Sequence, residues 1–378
     1  MARFLIFISC FFLLANNIFA TNTSCTEHQC IAVIDAGSTG SRLHIFSYDL
    51  DETNTPAHIV ELWSKKNKPG FASLEANQDS IDAYLTILFS GAPIQHIPVY
   101  FYATAGMRLL PQAKQKIYYQ NLKNWFNQHE EWLLIDSKTI TGDNEALYDW
   151  LAVNYHLGTI QSTLNQFVGV MDIGGASVQI AFPIQKDPNL NQRSQVELDL
   201  YGQHINLFIH SFLGLGQNEM NHQLLDSTSC FPNNYPLPDG EMGQGNAQGC
   251  AKEIAFLING IHKTNSVVQP ALIKNQINSW YAIGGIAKLA ESQPFQFPNN
   301  QLTTHDFLDQ ANNLACQQSW EELSSQFPDN ESVDAYCLLP AFYYALIVDG
   351  YGFSPNQIVN YVPSAQNLDW TLGVVLHH

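Results

Sequence analysis

Two stretches of the chain repeat one pattern, in which an apolar run is followed by an aspartate, several small residues and a second apolar run. The first stretch is 31-IAVIDAGSTGSRLHIFSY-48, where Asp35 ends the first run. The second is 167-FVGVMDIGGASVQIAF-182, where Asp172 ends it. Each stretch predicts a strand, a tight turn and a second strand that pairs back onto the first. Because the two copies lie about one domain length apart, they indicate duplication of a domain and not an array of short repeats.

Other segments predict further strands and helices. Residues 97–111 contain a strand that ends in small residues around Thr104. A helix is predicted to begin with Asp143 as its N-cap and to end at Gly158, which places Glu145 in the first helical turn. Two additional predicted elements are a hairpin over 195–208 and an apolar, aromatic-rich helix over 340–353.

The length and the N-terminus indicate an exported protein. A chain of 378 residues suggests two domains or one large one, and its 46% of hydrophobic residues supports a globular fold. Residues 1–20 read as a signal peptide, because their apolar run is too short to span a bilayer and is followed by small and polar residues. Since no later stretch is apolar enough to cross a membrane, we expect no membrane span and a secreted or periplasmic location.

Cysteine usage supports an oxidising compartment. Removal of the signal peptide takes away Cys10 and leaves an even number of cysteines, which in an exported chain argues for disulfides. An alternative for the first pair is a metal site that includes His28, but no second Cys/His pair stands at zinc spacing. Six cysteines allow 15 connectivities. Their grouping suggests the local bridges Cys25–Cys30, Cys230–Cys250 and Cys316–Cys337.

The charge of the chain restricts its partners. A formal net charge of −18 gives no general attraction for nucleic acid or anionic membranes, so we expect neither as a partner. If the substrate is itself a polyanion, a few local donors and a bound cation must attract it.

The two aspartate loops have the composition of such a local site. Glycines allow close approach of the backbone, and consecutive loop N–H groups can form a nest that binds an anion. Two facing loops would hold a phosphate chain from both sides, while Asp35 and Asp172 would hold Mg²⁺ or Ca²⁺ largely through water. A third turn at Gly284-Gly285 reads either as another close-approach turn or as a bulge.

Two polar residues have alternative interpretations at this point. Thr104 taken alone fits a cap or turn hydroxyl better than a ligand. Glu145 could complement the helix dipole, as acidic residues in a first turn commonly do, or it could act as a general base between the loops. The residues themselves do not decide between these roles for Glu145.

With these segments assembled, the chain resembles the nucleoside triphosphate diphosphohydrolase (apyrase) family. Five ordered blocks carry the resemblance: VIDAGSTGSR, YATAGMR, TGDNEALYDWLAVNY, VMDIGGASVQIAF, and the late pair YAIGG with WTLG. HSFLGLGQNE is a further match. The resemblance implies an α/β fold of two actin-like (ribonuclease-H-like) lobes with the active site in the cleft between them. Residues 25–141 with 361–378 would form lobe I, and 142–360 lobe II.

The resemblance also implies roles for individual residues. Glu145 would be the base that activates water, with Ser177 and Gln179 positioning that water against the terminal phosphate. Tyr344 would stack on the nucleotide base. The divalent cation would be held, largely through water, by Asp35, Asp172 and Thr104. The phosphates would be bound by Gly37, Ser38, Thr39, Gly40, Gly174, Gly175, Ala176 and Ser177. Arg42 and Arg108 match family arginines that either touch phosphate or hold the fold.

The expected activity is stepwise, metal-dependent hydrolysis of nucleoside triphosphates, and of diphosphates, to the monophosphate and inorganic phosphate by a monomer. One departure is Ala146, which stands where the family usually has glycine after the catalytic glutamate. Two alternatives remain open. One is another enzyme of the same superfamily, a sugar kinase or an exopolyphosphatase. The other is a nucleotide-binding switch without turnover.

Overall fold

The fold is described from a computed structural model, which describes residue 25 and residues 27–162, 166–330 and 332–377. The predicted signal peptide at 1–20, with Cys10, therefore lies outside the described residues.

A five-stranded sheet contains the first aspartate loop. Its strands, in chain order, are β1 Gln29–Ala36, β2 Ser41–Leu50, β3 Pro56–Asn67, β4 Pro98–Ala103 and β5 Leu133–Thr139. Their spatial order is β3-β2-β1-β4-β5, with antiparallel pairing from β1 to β3 and parallel pairing of β1 with β4 and of β4 with β5. Residues 31–34 of β1 are fully buried, as expected for a central strand covered on both faces.

A seven-stranded sheet contains the second loop. Its strands are β6 Gly169–Ile173, β7 Ser177–Pro183, β8 Gln195–Leu200, β9 Gln203–Leu213, β10 Trp280–Gly284, β11 Gln301–Leu302 and β12 Val359–Tyr361. The spatial order is β11-β12-β10-β6-β7-β9-β8. Strand β6 pairs antiparallel with β7 and parallel with β10, just as β1 pairs with β2 and β4. The repeated sequence pattern therefore corresponds to a repeated strand arrangement, and the strand pairs predicted around Asp35 and Asp172 are confirmed. The hairpin predicted over 195–208 is confirmed as well, by the antiparallel pair β8 and β9.

Helices cover the sheets. The α-helices are α1 Gln78–Phe89, α2 Ala105–Arg108, α3 Gln112–Gln128, α4 Gly142–His156, α5 Gln217–Gln223, α6 Ala247–Gly260, α7 Thr264–Lys274, α8 Gly285–Ala290, α9 Thr304–Ala311, α10 Trp320–Gln326, α11 Leu338–Tyr344 and α12 Thr371–Leu376. Two π-helical segments extend α9 and α11, namely Asn312–Cys316 and Ala345–Gly350. Single 3₁₀ turns occupy Phe71–Ser73, Gln192–Ser194, Thr228–Cys230, Pro298–Asn300, Val333–Tyr336 and Ser364–Gln366.

Helix α4 begins earlier than the sequence predicts. Thr141, with extended backbone angles, is the N-cap, and its side chain accepts a hydrogen bond from the N–H of Asn144 at 3.1 Å. The expectation that Asp143 is the cap was therefore wrong; Asp143 lies inside the first turn, where its charge complements the helix dipole. The helix ends at His156, two residues before Gly158, whose φ of +71° suits a glycine.

Helices α4 and α12 lie between the two sheets. One buried apolar cluster joins residues of β1 and β2, residues of β6 and β9, and the inner faces of both helices. The helices approach so closely that a side chain at Gly373 would overlap the carbonyl oxygen of Tyr148. The C-terminal helix therefore returns to the central layer and also contacts β1 and β3.

All three predicted disulfides are present. Their Cα–Cα distances are 5.5 Å for Cys25–Cys30, 4.8 Å for Cys230–Cys250 and 4.9 Å for Cys316–Cys337. His28 does not join a cysteine site; its ring contacts Asp49 at 2.5 Å. Within the described residues one helical stretch, Val333–Gly350, is long and apolar enough to cross a membrane, and 72% of it is buried inside the protein.

Candidate active site

A cleft of about 210 Å³ lies where the two aspartate loops meet, and residues of both loops line it. The loops face each other closely, since a Cβ added to Gly175 would lie 2.6 Å from the hydroxyl oxygen of Ser38 and 3.2 Å from a methyl carbon of Thr39. A larger residue at this position would require these side chains to turn aside or the loops to separate. The phosphate-loop residues predicted from the sequence are therefore brought together across one cleft.

The second loop is held in shape by its own backbone. The N–H of Gly174 donates to the carbonyl of Ser177 at 3.0 Å, which closes the turn. The N–H groups of Gln217 and Asn218, at the start of α5, donate to the carbonyls of Gly174 and Gly175 at 3.0 and 2.9 Å. The first N–H groups of helix α5 thus satisfy two carbonyl oxygens of the loop by hydrogen bonding.

Four side chains form a hydrogen-bonded group beside the cleft, and two of them, Glu145 and Ser177, line it. Arg108 Nη2 donates to Glu145 Oε2 at 2.7 Å and to Ser177 Oγ at 3.0 Å. Gln179 Nε2 has two N–H groups for three acceptors, namely the same two oxygens, at 3.0 and 2.8 Å, and Ser211 Oγ at 3.1 Å, so one N–H is shared. The predicted catalytic residues are therefore in direct contact, and Arg108 belongs with them.

Burial and charge act in opposite directions on Glu145. Burial raises the pKa of its carboxyl, while the Arg108 guanidinium lowers it by charge and by hydrogen bonding. The side chain remains only 6% exposed. Among the described buried polar atoms, Gln179 Oε1 has no hydrogen-bond partner, so this group retains one free acceptor beside the glutamate.

The two loop aspartates are buried and share the cleft. Burial, with repulsion from Asp369 and Glu145, raises the pKa of Asp35 to about 8. Burial and then Glu145 raise the pKa of Asp172 to about 7, against the opposing charge of Lys288. Both carboxyls therefore need a cation or a proton at neutral pH.

Two predicted residues adjoin these aspartates. The Gly284 turn is a close approach, because its φ is +78° and a side chain there would overlap Asp172 Oδ1. Thr104 is 4% exposed and lines the same cleft, and its side chain caps no helix.

Sequence reasoning missed a third buried aspartate, Asp149. It lies one helical turn after Glu145 on α4, lines the cleft and is 2% exposed. Neither of its carboxylate oxygens has a hydrogen-bond partner among the described residues. Burial, followed by the charges of Asp172 and Glu145, raises its pKa well above the usual range. The four-residue spacing from Glu145 was the available signal.

Asp369 was also missed, although it immediately precedes the WTLG block. Its carboxylate lines the cleft and lies 3.0 Å from Nε2 of His44, whose Nδ1 contacts Glu61 at 2.6 Å. Burial disfavours charge on His44, yet Asp369 and Glu61 outweigh it and raise the pKa to about 9. Burial would likewise raise the pKa of Asp369, but His44 holds it at about 2.

Three cations line the same cleft: Arg42, Lys66 and Lys288. Lys66 lies against the first loop, because a Cβ on Gly40 would be 3.0 Å from Lys66 Cε. Burial, and then Lys288 and Arg42, lower the pKa of Lys66. These cations can meet phosphate oxygens, but they share the cleft with the carboxylates described above, so the cleft as a whole is not positive.

The remaining predicted ligand, Tyr344, does not line this cleft. It is partly buried against the core of the seven-stranded sheet, and burial followed by Asp349 and Asp309 raises its pKa. Its neighbour Tyr343 is closer to the site, since its hydroxyl donates to Gln217 Oε1 at 2.9 Å and Gln217 lines the cleft.

Within the described ranges, no three His, Cys, Asp or Glu side chains stand close enough together to hold a metal ion. Asp35 Oδ1 is buried without a partner, however, and several carboxylates surround it. This donor set fits a hard, hydrated cation that these oxygens reach through water.

The sequence matches the GDA1/CD39 (nucleoside phosphatase) family over residues 21–378. It is 28% identical to the nucleoside-triphosphatase ntp-1 of Caenorhabditis elegans, covering 92% of this chain and 72% of that protein. Identity to the ectonucleoside triphosphate diphosphohydrolase 1 of Bos taurus is 25%, over 91% of this chain and 80% of that protein. A nucleoside-triphosphatase of Pisum sativum is 28% identical, over 90% and 86%.

Solved structures share the fold. The nucleoside triphosphate hydrolase of Neospora caninum superposes with a TM-score of 0.61 at 15% identity, covering 96% of this chain and 95% of that one. An Aquifex aeolicus member of the Ppx/GppA family gives a TM-score of 0.56 at 15% identity, covering 92% and 96%. The expected two-lobed, actin-like α/β fold is confirmed.

Proposed function

Because the chain belongs to the GDA1/CD39 (nucleoside phosphatase) family, we propose that it hydrolyses nucleoside triphosphates and diphosphates, releasing inorganic phosphate in steps toward the monophosphate. The observation that carries this proposal is the hydrogen-bonded group of Glu145, Gln179, Ser177 and Arg108. Through Glu145 and Ser177 this group lines a cleft between two glycine-rich loops. That placement fits attack by water on a phosphate held between the loops.

Glu145 is suited to remove a proton from the attacking water. Burial raises the pKa of its carboxyl and so makes the carboxylate more basic than an exposed one, while Arg108 opposes this shift by favouring the charged form. The second O–H of the same water could donate a hydrogen bond to Gln179 Oε1, the free acceptor next to Glu145, and this O–H keeps its proton. A positioned base of this kind contributes about 10² to 10⁴ in rate.

The reaction then needs charge neutralisation along the phosphate chain. The oxygen of water bonds to the terminal phosphorus in line with the leaving group. The bridging P–O bond breaks, and its electron pair stays on the phosphate oxygen of the departing, shortened nucleotide. Loop N–H groups over 37–40 and 174–177 would bind the phosphate oxygens, with Lys66 and Lys288 adding positive charge. Asp35, Asp172 and Thr104 would hold a divalent cation through water. When bound, that cation neutralises the phosphate oxygens that accumulate charge.

Two further proposals concern the surroundings of this site. Tyr344 is proposed to stack on the nucleotide base, which requires the nucleotide to extend beyond the described cleft toward the seven-stranded lobe. Export to a secreted or periplasmic location is proposed on the basis of the three disulfides, which persist in oxidising compartments.

The function is tested by phosphate release from ATP and ADP by the mature protein, with and without Mg²⁺, beside Glu145→Gln. We expect turnover that requires metal and falls about 10²-fold or more in the variant, with nucleotide binding retained. Unchanged turnover in Glu145→Gln would remove the assigned base. Nucleotide binding without any turnover would support the alternative that the protein is a nucleotide-binding switch and not an enzyme.

Exopolyphosphatase activity is the second candidate, since the Ppx/GppA structure shares the fold. The same assay with inorganic polyphosphate as substrate separates the two functions. Release from polyphosphate but not from ATP would favour this second candidate.

A further inference from the structure

Asp149 is a buried carboxylate that the proposed mechanism does not use. Its carboxylate is 2% exposed, and neither oxygen accepts a hydrogen bond from any described residue. A buried carboxylate without donors is strongly unfavourable, and such groups are normally paired or bound to a metal.

The surroundings of Asp149 increase that cost. The charges that act on it most are those of Asp172 and Glu145, followed by Asp369 and Asp35, and all of them are acidic. Arg108 is already engaged with Glu145 and Ser177, and His44 lies between Glu61 and Asp369. The cleft therefore contains a surplus of negative charge on the side of Asp149.

The direction of the side chain is set by its helix. Asp149 and Glu145 are four residues apart on α4, and both line the cleft. Because residues 145–154 of this helix are all buried, Asp149 has no route to bulk solvent other than the cleft. Its unpartnered oxygens lie on the same cleft as the loop aspartates.

We propose that Asp149 is a further cation-positioning residue, whose carboxylate accepts hydrogen bonds from water molecules bound to the divalent cation between Asp35 and Asp172. Such waters supply the donors that the protein lacks at this point, and the cation offsets the surplus charge. The proposal rests on the proposed function for the presence of the cation. It means that helix α4, as well as the two aspartate loops, contributes a residue that positions this cation.

The test measures metal binding directly. Free Mn²⁺, a hard cation that prefers the same oxygen ligands as Mg²⁺, is titrated by electron paramagnetic resonance against the mature protein, alone and with inorganic phosphate. The variants are Asp149→Asn and, in case this one folds poorly, Asp149→Ser. Asp143→Asn is the matched control, because it removes the same charge from the same helix outside the cleft lining.

We expect Asp149→Asn to weaken Mn²⁺ binding about 10- to 100-fold, the usual effect of losing an outer-shell partner, while Asp143→Asn binds like the parent. Without metal, Asp149→Asn should melt at a higher temperature than the parent, since an uncompensated carboxylate has been removed; saturating Mn²⁺ should stabilise the parent more than the variant. A purely structural role for Asp149 would not make the variant more stable than the parent without metal and less stabilised by Mn²⁺.

Two results would overturn the proposal: Mn²⁺ affinity of Asp149→Asn within about twofold of the parent, or no saturable Mn²⁺ binding by the parent. The proposed hydrolytic function is measured separately as phosphate release. A parent protein that binds Mn²⁺ but hydrolyses no nucleotide would therefore contradict the function, and the comparison of Asp149 variants would still stand.

Discussion

Glu145 Oε2 and Ser177 Oγ accept hydrogen bonds from the same two nitrogen atoms, Arg108 Nη2 and Gln179 Nε2, at distances between 2.7 and 3.0 Å. Shared donors fix the carboxylate and the hydroxyl side by side. A hydroxyl that already accepts two bonds has its single proton left to donate, and in this cleft an attacking water or a phosphate oxygen could receive it.

We predict that Ser177→Ala lowers kcat about 10²-fold and changes KM little, because the lost hydrogen bond is one that positions the reacting groups. Steady-state phosphate release from ATP measures both constants. Ser211→Ala is the matched control: Ser211 accepts from the same Gln179 nitrogen at 3.1 Å but does not line the cleft. An equal loss of kcat in both variants would mean that the hydroxyls act only by holding Gln179.

The ion pair of Arg108 with Glu145 predicts a loss of stability. Their side chains are only 12% and 8% exposed, so Arg108→Ala leaves a buried charge without its partner. We expect the free energy of unfolding to fall by about 3 to 5 kcal/mol in denaturant titrations. The double variant with Glu145→Gln should recover part of this loss, because no unpaired charge then remains; additive losses would contradict the pairing.

Contact between the two loops predicts that Gly175→Ala impairs the site more than the fold. The new methyl group would lie 2.6 Å from Ser38 Oγ and 2.9 Å from Asn218 Nδ2, so these side chains must turn away from the cleft or the loops must separate. We expect KM for ATP to rise and kcat to fall, so that kcat/KM decreases by about 10²-fold. Misplacement of the reacting groups by about 1 Å can have an effect of this size.

Gly260→Ala is the corresponding control. Gly260 ends α6, and a Cβ there would meet nothing within 4 Å. This variant should keep full activity and gain up to about 1 kcal/mol of stability from better helix propensity. Gly175→Ala with unchanged kinetics would contradict the prediction and show that the neighbouring side chains make room for the methyl group without disturbing the site.

Local patterns predicted the parts of the site that lie on the repeated hairpins. The residues on either side of Asp35 and Asp172 were enough to predict these strands and turns, because strand alternation and glycine-rich turns are properties of short segments. The role of Glu145, in contrast, came from the family resemblance, since its position in a first helical turn has an ordinary explanation.

The residues that were missed depend on contacts between distant segments. His44 and Asp369 belong to opposite ends of the chain, and only the return of α12 brings them within 3.0 Å. Asp149 was overlooked because apolar residues on α4 suggested one buried face, whereas residues 145–154 are all buried between the two sheets. Burial from both sides cannot be deduced from the helix alone.

His44 predicts how stability changes with pH. Its pKa in the folded protein is about 9, above the value of about 6.5 for an unperturbed histidine. The protonated ring therefore contributes its full stabilisation below pH ~6.5, and this contribution is lost as the pH rises through about 9. The shift corresponds to a free energy on the order of 3 kcal/mol, because one pKa unit is worth about 1.4 kcal/mol.

The measurement compares the parent with His44→Gln in denaturant titrations at two pH values, about 6 and about 9.5, with a chelator present. The comparison removes the pH dependence that both proteins share, since the raised pKa values of Asp35 and Asp172 make each less stable as the pH increases through about 7 and 8. The remaining difference reports His44 together with Asp35 and Asp369, whose pKa values its charge lowers. At the lower pH the variant should be much less stable than the parent, since Glu61 and Asp369 lose their common cation. At the higher pH the difference should shrink by up to about 3 kcal/mol, because the parent ring is then neutral as well. An equal difference at both pH values would show that His44 contributes through packing and hydrogen bonds and not through its charge.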